Sequence, residues 1–116
     1  DNDTARGWFS KLSDADKELI ISYLTSDIEG LTITEENLPL IFIQQAFSSI
    51  AQFAVFPLQD IYALGSEARM NEPSTAGGTN WQWRMSEDML YGKNAEAKAQ
   101  LLKKMSIMYD RNTQRE

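Results

Sequence analysis

Apolar side chains repeat at helical spacing in three separate segments of the chain. The first segment has a stripe of four large side chains: Leu19, Ile20, Tyr23 and Leu24. Ser13, with Asp16 three residues later, resembles the pair of side chains that caps a helix N-terminus. The pattern predicts an amphipathic helix that begins at Ser13, ends near Ser26 and packs on a core.

The second segment is apolar on several faces. Asn37 offers a cap, and Pro39 suits the first turn of the helix that follows. The large apolar side chains after it are Leu40, Ile41, Phe42, Ile43, Phe47, Ile50 and Phe53. Such a helix is normally buried inside a larger protein, so we expect part of it to face a partner or solvent. Periodicity alone lets it continue to Phe56.

The third segment lies near the C-terminus, after the helix breaker Gly92. Its apolar stripe follows 4-then-3 spacing and consists of Leu101, Met105 and Met108. Asn94 is a good N-cap for this last helix. We expect the stripe to pack on the rest of the protein. The alternative is a helical interaction domain that uses the methionine face to bind a partner.

A long loop at residues 65–79 carries the strongest local indication of function. Loops of this length without structure of their own are mostly binding or active-site loops, or else disordered. Trp81, Trp83 and Arg84 follow it, which argues against disorder because disordered segments are poor in aromatic residues. The two tryptophans are either anchors for the loop exit or stacking platforms for a ligand.

The loop also contains polar side chains that suit a sugar. Glu67, Arg69 and Asn71 supply a carboxylate, a guanidinium and an amide. The same spacing equally allows an ion pair between Glu67 and Arg69. Just before the loop, Gln59 and Asp60 are expected to cap a short helical turn that runs to Leu64.

Composition and charge exclude several classes of function. The chain has 116 residues, which is one domain at most. Its net charge of -6 disfavours nucleic acid and anionic membranes as partners, because both need clustered Lys and Arg. It has no Cys and no His, so we expect no disulfide, no Ser–His or Cys–His catalysis, no metal and no cofactor. No apolar run approaches the ~18 residues of a membrane span, and the expected location is the cytoplasm.

Four blocks of sequence resemble one family of enzymes. They are DNDTARGW at residues 1–8, PLQD at 57–60, GSEARMN-x-P at 65–73 and NWQWR at 80–84. In this order they resemble the amylomaltases, or disproportionating enzymes, which are 4-α-glucanotransferases. The resemblance covers nearly the whole chain and is loose at residues 24–38 and after residue 90.

The resemblance implies a (β/α)8 TIM barrel of several hundred residues. Residues 1–116 would be the C-terminal fragment of that catalytic barrel domain. The fragment would be mostly α, with the last strand–helix units of the barrel, and residues 54–58 would be the last strand. The chain begins with Asp rather than Met, and we therefore also expect it to be a piece of a longer protein.

The resemblance further implies roles for individual residues. Asp1 corresponds to the third catalytic carboxylate, which holds sugar hydroxyls and stabilises the transition state. Without the resemblance, residues 1–9 would be a frayed terminus. Asn71 and Pro73 border the substrate groove, and Asn71 is expected to touch glucan. The residues expected to hold the loop in shape are Glu67, Arg69, Trp81 and Arg84.

The implied activity is transfer of α-1,4-glucan segments between maltodextrins, or to glucose, in starch and glycogen metabolism. The mechanism would be retaining, with two carboxylates about 5 Å apart. Because the nucleophile Asp and the acid/base Glu would lie upstream of Asp1, we expect the isolated chain to be inactive. We expect it to pair with the missing N-terminal part, or to self-associate. The alternative is a non-catalytic glucan-binding module in which Trp81 or Trp83 stacks on sugar.

Overall fold

The computed structural model describes residues 2–26 and 30–111, and these residues are mostly helical. The α-helices are α1 (Ala5–Ser10), α2 (Asp14–Thr25), α3 (Leu38–Ser48), α4 (Leu58–Ile61), α5 (Glu87–Tyr91) and α6 (Lys93–Met108). A 3-10 helix, Ser66–Ala68, follows α4. No strand forms in the described ranges, so the mostly α prediction is confirmed and no barrel is present in this part of the chain.

Helix α2 has the ends that the sequence predicts. The Ser13 side chain accepts a hydrogen bond from the Asp16 backbone N–H at 3.2 Å, which satisfies one of the free donors of the first turn. Asp14 and Asp16 lie in that first turn, where the helix dipole favours negative charge. The helix ends at Thr25, with Ser26 as its C-cap.

Helix α3 lies between two clusters of buried apolar side chains. The first cluster contains Phe9, Leu24, Ile33 and Leu38, and the second contains Ile43, Phe47 and Met105. The first turn of α3 therefore packs with α1 and α2, and its second half packs with α6. This double contact explains why α3 is apolar on several faces. Met105 is buried, as the packing interpretation of the last helix predicts, whereas Met108 is exposed.

The C-terminus of α3 is closed by a side chain from the far end of the chain. The guanidinium of Arg111 donates to five backbone carbonyls, those of Ala46, Phe47, Ser49, Ala51 and Gln52. The distances to the oxygens of Phe47 and Ala51 are 2.8 and 2.7 Å. The last four carbonyls of a helix have no partner within it, and this contact gives two of them, those of Ala46 and Phe47, a donor. The helix ends at Ser48, so the continuation to Phe56 that periodicity alone allows does not occur.

The predicted strand at residues 54–58 is also wrong for this chain. Residues 53–57 are irregular, and Leu58 is the first residue of α4. A strand forms only when a neighbouring strand completes its hydrogen bonds, and the described residues around it are helices and loops. The side chains of Phe53 and Val55 are 79% and 93% exposed.

Two helix starts differ from the predictions. Helix α6 begins at Lys93 with Gly92 as its N-cap, so Asn94 lies inside the helix and does not cap it. The reason is that the unpredicted α5, capped by Ser86, ends at Tyr91, and its C-cap Gly92 is also the N-cap of α6. Pro39 is the second residue of α3, close to the predicted first position.

The N-terminal segment is ordered and packed, so the frayed-terminus alternative is wrong for residues 2–9. Thr4 is buried and caps α1, because its hydroxyl accepts from the Gly7 N–H at 3.1 Å. Asp1 lies outside the described residues. Within residues 2–26 and 30–111, no helix is both long enough and apolar enough to cross a lipid bilayer.

Candidate functional site

A cavity of about 640 Å³ lies between the N-terminal segment, α4 and the start of the long loop. Its volume falls within the range of about 300–1,000 Å³ that is common for small-molecule sites. The polar side chains at its wall include Asp3, Asp60 and Arg69, and the aromatic ones are Trp8 and Phe42. The two aromatic rings contact each other at a centroid distance of 6.1 Å. The cavity therefore combines charged hydrogen-bonding groups with an aromatic surface.

The carboxylate of Asp3 connects the N-terminal segment to the loop. One oxygen, Oδ1, accepts from the Thr4 N–H at 2.8 Å. The other, Oδ2, accepts from the Ser66 hydroxyl at 2.9 Å and from the Lys11 ammonium at 2.8 Å. The Arg69 guanidinium is 3.9 Å from the same Oδ2. Asp3 thus joins α1 and the 3-10 helix.

The carboxylate of Asp60 connects α4 to α1. Its Oδ1 accepts from the Ala5 backbone N–H at 2.9 Å, so it occupies a free donor at the start of α1. The prediction that Gln59 and Asp60 cap a short helical turn is wrong, because both residues lie inside α4. Helix α4 begins at Leu58 after Pro57, with no side-chain cap.

The pKa values of the Asp3 and Asp60 carboxyl groups are shifted in opposite directions. Burial raises the pKa of Asp3, but other contributions lower it by more, so the pKa lies below its usual value. These contributions are the hydrogen bonds from Lys11, Ser66 and the Thr4 N–H, and the positive charge of Lys11. Burial raises the pKa of Asp60 above its usual value, and the negative charge of Asp3 adds to this rise. The hydrogen bond from Ala5 opposes the rise without cancelling it.

The ion pair between Glu67 and Arg69, which the spacing allows as an alternative, does not form. Glu67 instead accepts from the Gly65 N–H at 3.1 Å. Arg69 faces Asp3, and its Nε donates to the backbone carbonyl of Asn71 at 2.7 Å. Both side chains therefore hydrogen-bond to backbone atoms at the start of the loop.

Hydrogen bonds connect two residues of the loop, Glu72 and Thr75, to Asn80 directly after the loop. Asn80 accepts from the Glu72 N–H at 3.0 Å and donates to the Thr75 hydroxyl at 2.8 Å. The Trp81 N–H donates to the Met70 carbonyl across the base of the loop. Asn80 stands in the NWQWR block, but sequence reasoning gave it no role because its partners lie five and eight residues away.

Trp81 adopts a conformation that few bulky residues adopt. Its φ is 62°, and its side chain is 60% exposed. Arg84 donates to the carbonyls of Trp81 and Trp83 at 3.2 and 3.0 Å. The backbone of Trp81 thus takes part in hydrogen bonds at the loop exit while its side chain is exposed, and Trp83 is half-buried.

The structure brings together two segments that the sequence analysis singled out separately. Residues 2–5, directly after Asp1, line the same cavity as Arg69 and Met70, directly before Asn71. Asn71 is half-buried and Pro73 is exposed. Sequence reasoning missed Asp3, whose only signal was its place in the DNDTARGW block. Taken together, the cavity and the loop define a site chemically suited to a hydroxylated, sugar-like ligand.

Comparison with known proteins identifies the family. The chain matches the family described as 4-alpha-glucanotransferase over residues 1–104, which is most of its length. The chain therefore belongs to the 4-alpha-glucanotransferase family.

Individual relatives carry the same description. A 4-alpha-glucanotransferase from Synechocystis sp. is 46% identical over 90 residues, which are 78% of this chain and 16% of that protein. The chloroplastic/amyloplastic 4-alpha-glucanotransferase of Solanum tuberosum is 38% identical over 111 residues, 96% of this chain and 18% of that protein. The protein from Thermus thermophilus is 42% identical over 86 residues, 73% of this chain and 17% of that protein. The chain thus spans less than a fifth of the length of these relatives.

Proposed function

We propose that residues 1–116 form the C-terminal part of the catalytic barrel domain of a 4-α-glucanotransferase. The enzyme transfers α-1,4-glucan segments between maltodextrins, or to glucose. The observation that carries this proposal is the family match over residues 1–104. The cavity adds support, because the segment after Asp1 and the segment before Asn71 both line it.

The proposed mechanism is retaining and proceeds through a covalent glycosyl-enzyme. It needs two carboxylates about 5 Å apart, a nucleophile and an acid/base, which the upstream part of the polypeptide supplies. Asp1 is the third carboxylate, and its hydrogen bonds to sugar hydroxyls strengthen as the oxocarbenium-like transition state forms. Asn71 offers an amide to a glucosyl hydroxyl, and Pro73 borders the groove. Isolated residues 1–116 are inactive in this proposal because two carboxylates are missing.

Side chains that hydrogen-bond to the loop backbone pre-organise the loop for substrate binding in this proposal. Glu67 and Arg69 hydrogen-bond to the backbone at the start of the loop, and Arg84 does so at its exit. Trp81 closes the base of the loop through its backbone N–H. A loop fixed before substrate arrives loses less conformational freedom on binding, which favours affinity.

The missing partner in this proposal is the rest of the same polypeptide. Residues 53–57 present exposed Phe53 and Val55 side chains and a backbone without sheet partners. In the complete barrel they would lie beside strands supplied by the upstream part. When that part is absent, exposed apolar surface favours association between copies of the chain. The proposed location is the cytoplasm, although the Solanum tuberosum relative is described as chloroplastic/amyloplastic.

An assay on maltotriose tests the proposal. The complete polypeptide that contains these residues should release glucose and form longer maltodextrins, and residues 1–116 alone should do neither. Asp1→Asn in the complete polypeptide should abolish transfer without changing the thermal unfolding temperature, because it removes a charge needed only in the transition state. Glucose release by the isolated chain, or full activity of Asp1→Asn, contradicts the proposal.

A second candidate function is glucan binding without catalysis, which the exposed indole of Trp81 favours. Aromatic faces pack on the apolar side of sugar rings, and a residue with φ of 62° is held in that position at a cost in backbone energy. Titration of residues 1–116 with maltoheptaose, followed by tryptophan fluorescence, tests it. Binding that Trp81→Ala removes and Trp83→Phe keeps would favour this candidate. The methionine face of α6 gives no comparable support to a helical interaction domain, because Met105 is buried in the core.

A further inference from the structure

Asp3 belongs to the N-terminal segment of the proposed site and contacts Ser66 and Arg69, which lie at the start of the long loop. We propose that Asp3 is a positioning residue whose carboxylate ties the segment carrying Asp1 to the loop carrying Asn71. It thereby fixes the third catalytic carboxylate relative to the glucan-contacting amide. The inference rests on the proposed function, because it assigns to Asp3 a task in that same reaction.

The first support is that the Asp3 carboxylate is held on both oxygens. Its side chain is only 10% exposed. Oδ1 accepts from the Thr4 N–H, and Oδ2 accepts from the Ser66 hydroxyl at 2.9 Å. Hydrogen bonds to an ionised acceptor are about twice as strong as neutral ones, so the carboxylate has one orientation. The carboxylate therefore holds the backbone at Thr4 against the side chain of Ser66.

The second support is the short path from Asp3 to each of the two site residues. On one side, Asp1 precedes Asp3 by two residues in the sequence. On the other side, Arg69 joins Asp3 to the loop. Its Nη1 is 3.9 Å from the Asp3 carboxylate, and its Nε donates to the Asn71 carbonyl at 2.7 Å. One guanidinium therefore links the carboxylate to the backbone of Asn71.

The third support is the close approach of α1 to the 3-10 helix at this point. Gly7 is buried, and a Cβ atom built on it would contact the Ser66 hydroxyl and lie 2.8 Å from Asp3 Oδ1. It would also lie 2.9 Å from the Ser66 backbone nitrogen. The backbone of α1 thus comes as near to Ser66 as a residue without a side chain allows. The hydrogen bond between Asp3 and Ser66 lies in that contact.

The fourth consideration is the charge around Asp3. Lys11 is the other cation on its carboxylate, at 2.8 Å, but its side chain is well exposed and solvent screens its effect. Asp60 adds negative charge from α4. Arg69 and Ser66 are the two partners that belong to the loop side. The positioning effect is therefore expected to depend on these two contacts more than on Lys11.

The test is Asp3→Asn in the complete polypeptide, assayed with maltotriose. The substitution keeps the shape and the acceptor for Thr4 but removes the charge that attracts Arg69. We expect kcat to fall by about 10- to 100-fold, as for a misplacement of up to about 1 Å, while KM changes by less than about threefold. Ser66→Ala should lower kcat by about tenfold, and the double variant should fall no further than Asp3→Asn alone.

A matched control separates this role from general stability. Glu35 forms an ion pair with Lys17 at 3.8 Å and does not line the cavity, so Glu35→Gln removes one carboxylate elsewhere. It should leave kcat unchanged. Thermal unfolding of every variant is measured in parallel, since a purely structural role predicts that kcat falls only in proportion to the folded fraction.

The outcomes decide between the alternatives. Asp3→Asn with unchanged kcat, or losses in Asp3→Asn and Ser66→Ala that simply add, overturns the positioning role. If Asp3→Asn does not fold, Ser66→Ala decides alone: a fall in kcat at constant KM supports the role, and an unchanged kcat overturns it. If the unaltered polypeptide transfers no glucan, the proposed function fails, and this inference fails with it.

Discussion

The Asp60 carboxylate accepts a hydrogen bond from the Ala5 backbone N–H at 2.9 Å, although the two residues are 55 positions apart in the chain. Helix α4 therefore caps the first turn of α1. Helix α1 has only six residues, which is too short for a helix to be stable by itself. Its stability depends on this contact, on the Thr4 cap and on packing of Phe9 in the core.

Removing the Asp60 acceptor should loosen α1. We expect Asp60→Ala to cost about 0.5–2 kcal/mol locally, the usual range for a lost N-cap acceptor. Amide hydrogen exchange at Trp8, whose N–H bonds to Thr4, should become about 2- to 30-fold faster. Asp60→Asn keeps an acceptor oxygen and serves as the control, with exchange close to that of the unaltered protein. Equal acceleration in both variants would show that the charge, and not the hydrogen bond, matters.

Asp3 should stabilise the folded protein at neutral pH and lose this contribution in acid. Its folded pKa is lowered, so its contribution is fully present above the unfolded value of about 3.9 and is lost as pH falls through the lower folded value. Urea unfolding at several pH values between about 2 and 6 measures this, and Asp3→Asn should flatten the loss of stability at the acid end. A loss that stays equally steep in Asp3→Asn contradicts the assignment.

Asp60 should change the stability of the protein with pH in the opposite direction to Asp3, and at higher pH. Its folded pKa is raised, so its ionisation costs stability as pH rises from the unfolded value of about 3.9 through the folded value. In the same urea experiments, the free energy of unfolding of Asp60→Asn relative to the unaltered protein should increase across that window. A difference that stays constant with pH would show that burial does not disfavour the charged form.

Gly7 should not tolerate a side chain. In Gly7→Ala the new Cβ would lie 2.8 Å from Asp3 Oδ1 and 2.9 Å from the Ser66 backbone nitrogen. Overpacking of this kind typically costs about 1–3 kcal/mol, seen as a lower thermal unfolding temperature. Combining it with Ser66→Ala should recover only part of the loss, because the backbone nitrogen remains. Complete recovery would mean that the hydroxyl alone causes the clash.

Arg111 should be needed to hold the end of α3. Arg111→Ala leaves the carbonyls of Phe47 and Ala51 without their charged donor, and such hydrogen bonds are worth about 1.5–3 kcal/mol each. We expect loss of at least one such contribution in urea unfolding, with partial retention in Arg111→Lys, since an ammonium reaches fewer carbonyls. Lys104→Ala, an exposed cation on α6, is the control. Equal stability of all three variants would show that water replaces the guanidinium without loss.

Residues 53–57 should determine whether the isolated chain associates. Phe53 and Val55 are exposed apolar side chains beside an unpaired backbone. We expect residues 1–116 to sediment as more than a monomer, and Phe53→Ser with Val55→Ser to shift the mass toward the monomer. As the control, Leu19→Ser with Tyr23→Ser removes two exposed apolar side chains from α2 and should leave the mass unchanged. A monomeric unaltered chain contradicts the prediction.

Several features of the fold were predictable because their causes are local. The Ser13 cap and the end of α2 follow from hydrogen bonds and spacing within four residues of each other. The burial of Met105 follows from the apolar stripe of α6. The family was predictable too, since its motifs are contiguous blocks of sequence. The starts of α5 and α6 were missed because Gly92 serves as the end of one helix and the start of the next.

The sequence by itself determined the mostly helical content, the ends of α2 and membership of the family. Only the tertiary structure decided three contacts. Asp3 accepts a hydrogen bond from Ser66, Asp60 caps α1, and Arg111 donates to carbonyls at the C-terminus of α3. These pairs are 63, 55 and 64 positions apart, and helical spacing or capping rules reach only a few residues along the chain. It also decided against a strand at residues 54–58, because a strand depends on hydrogen-bond partners that the segment's own residues do not supply.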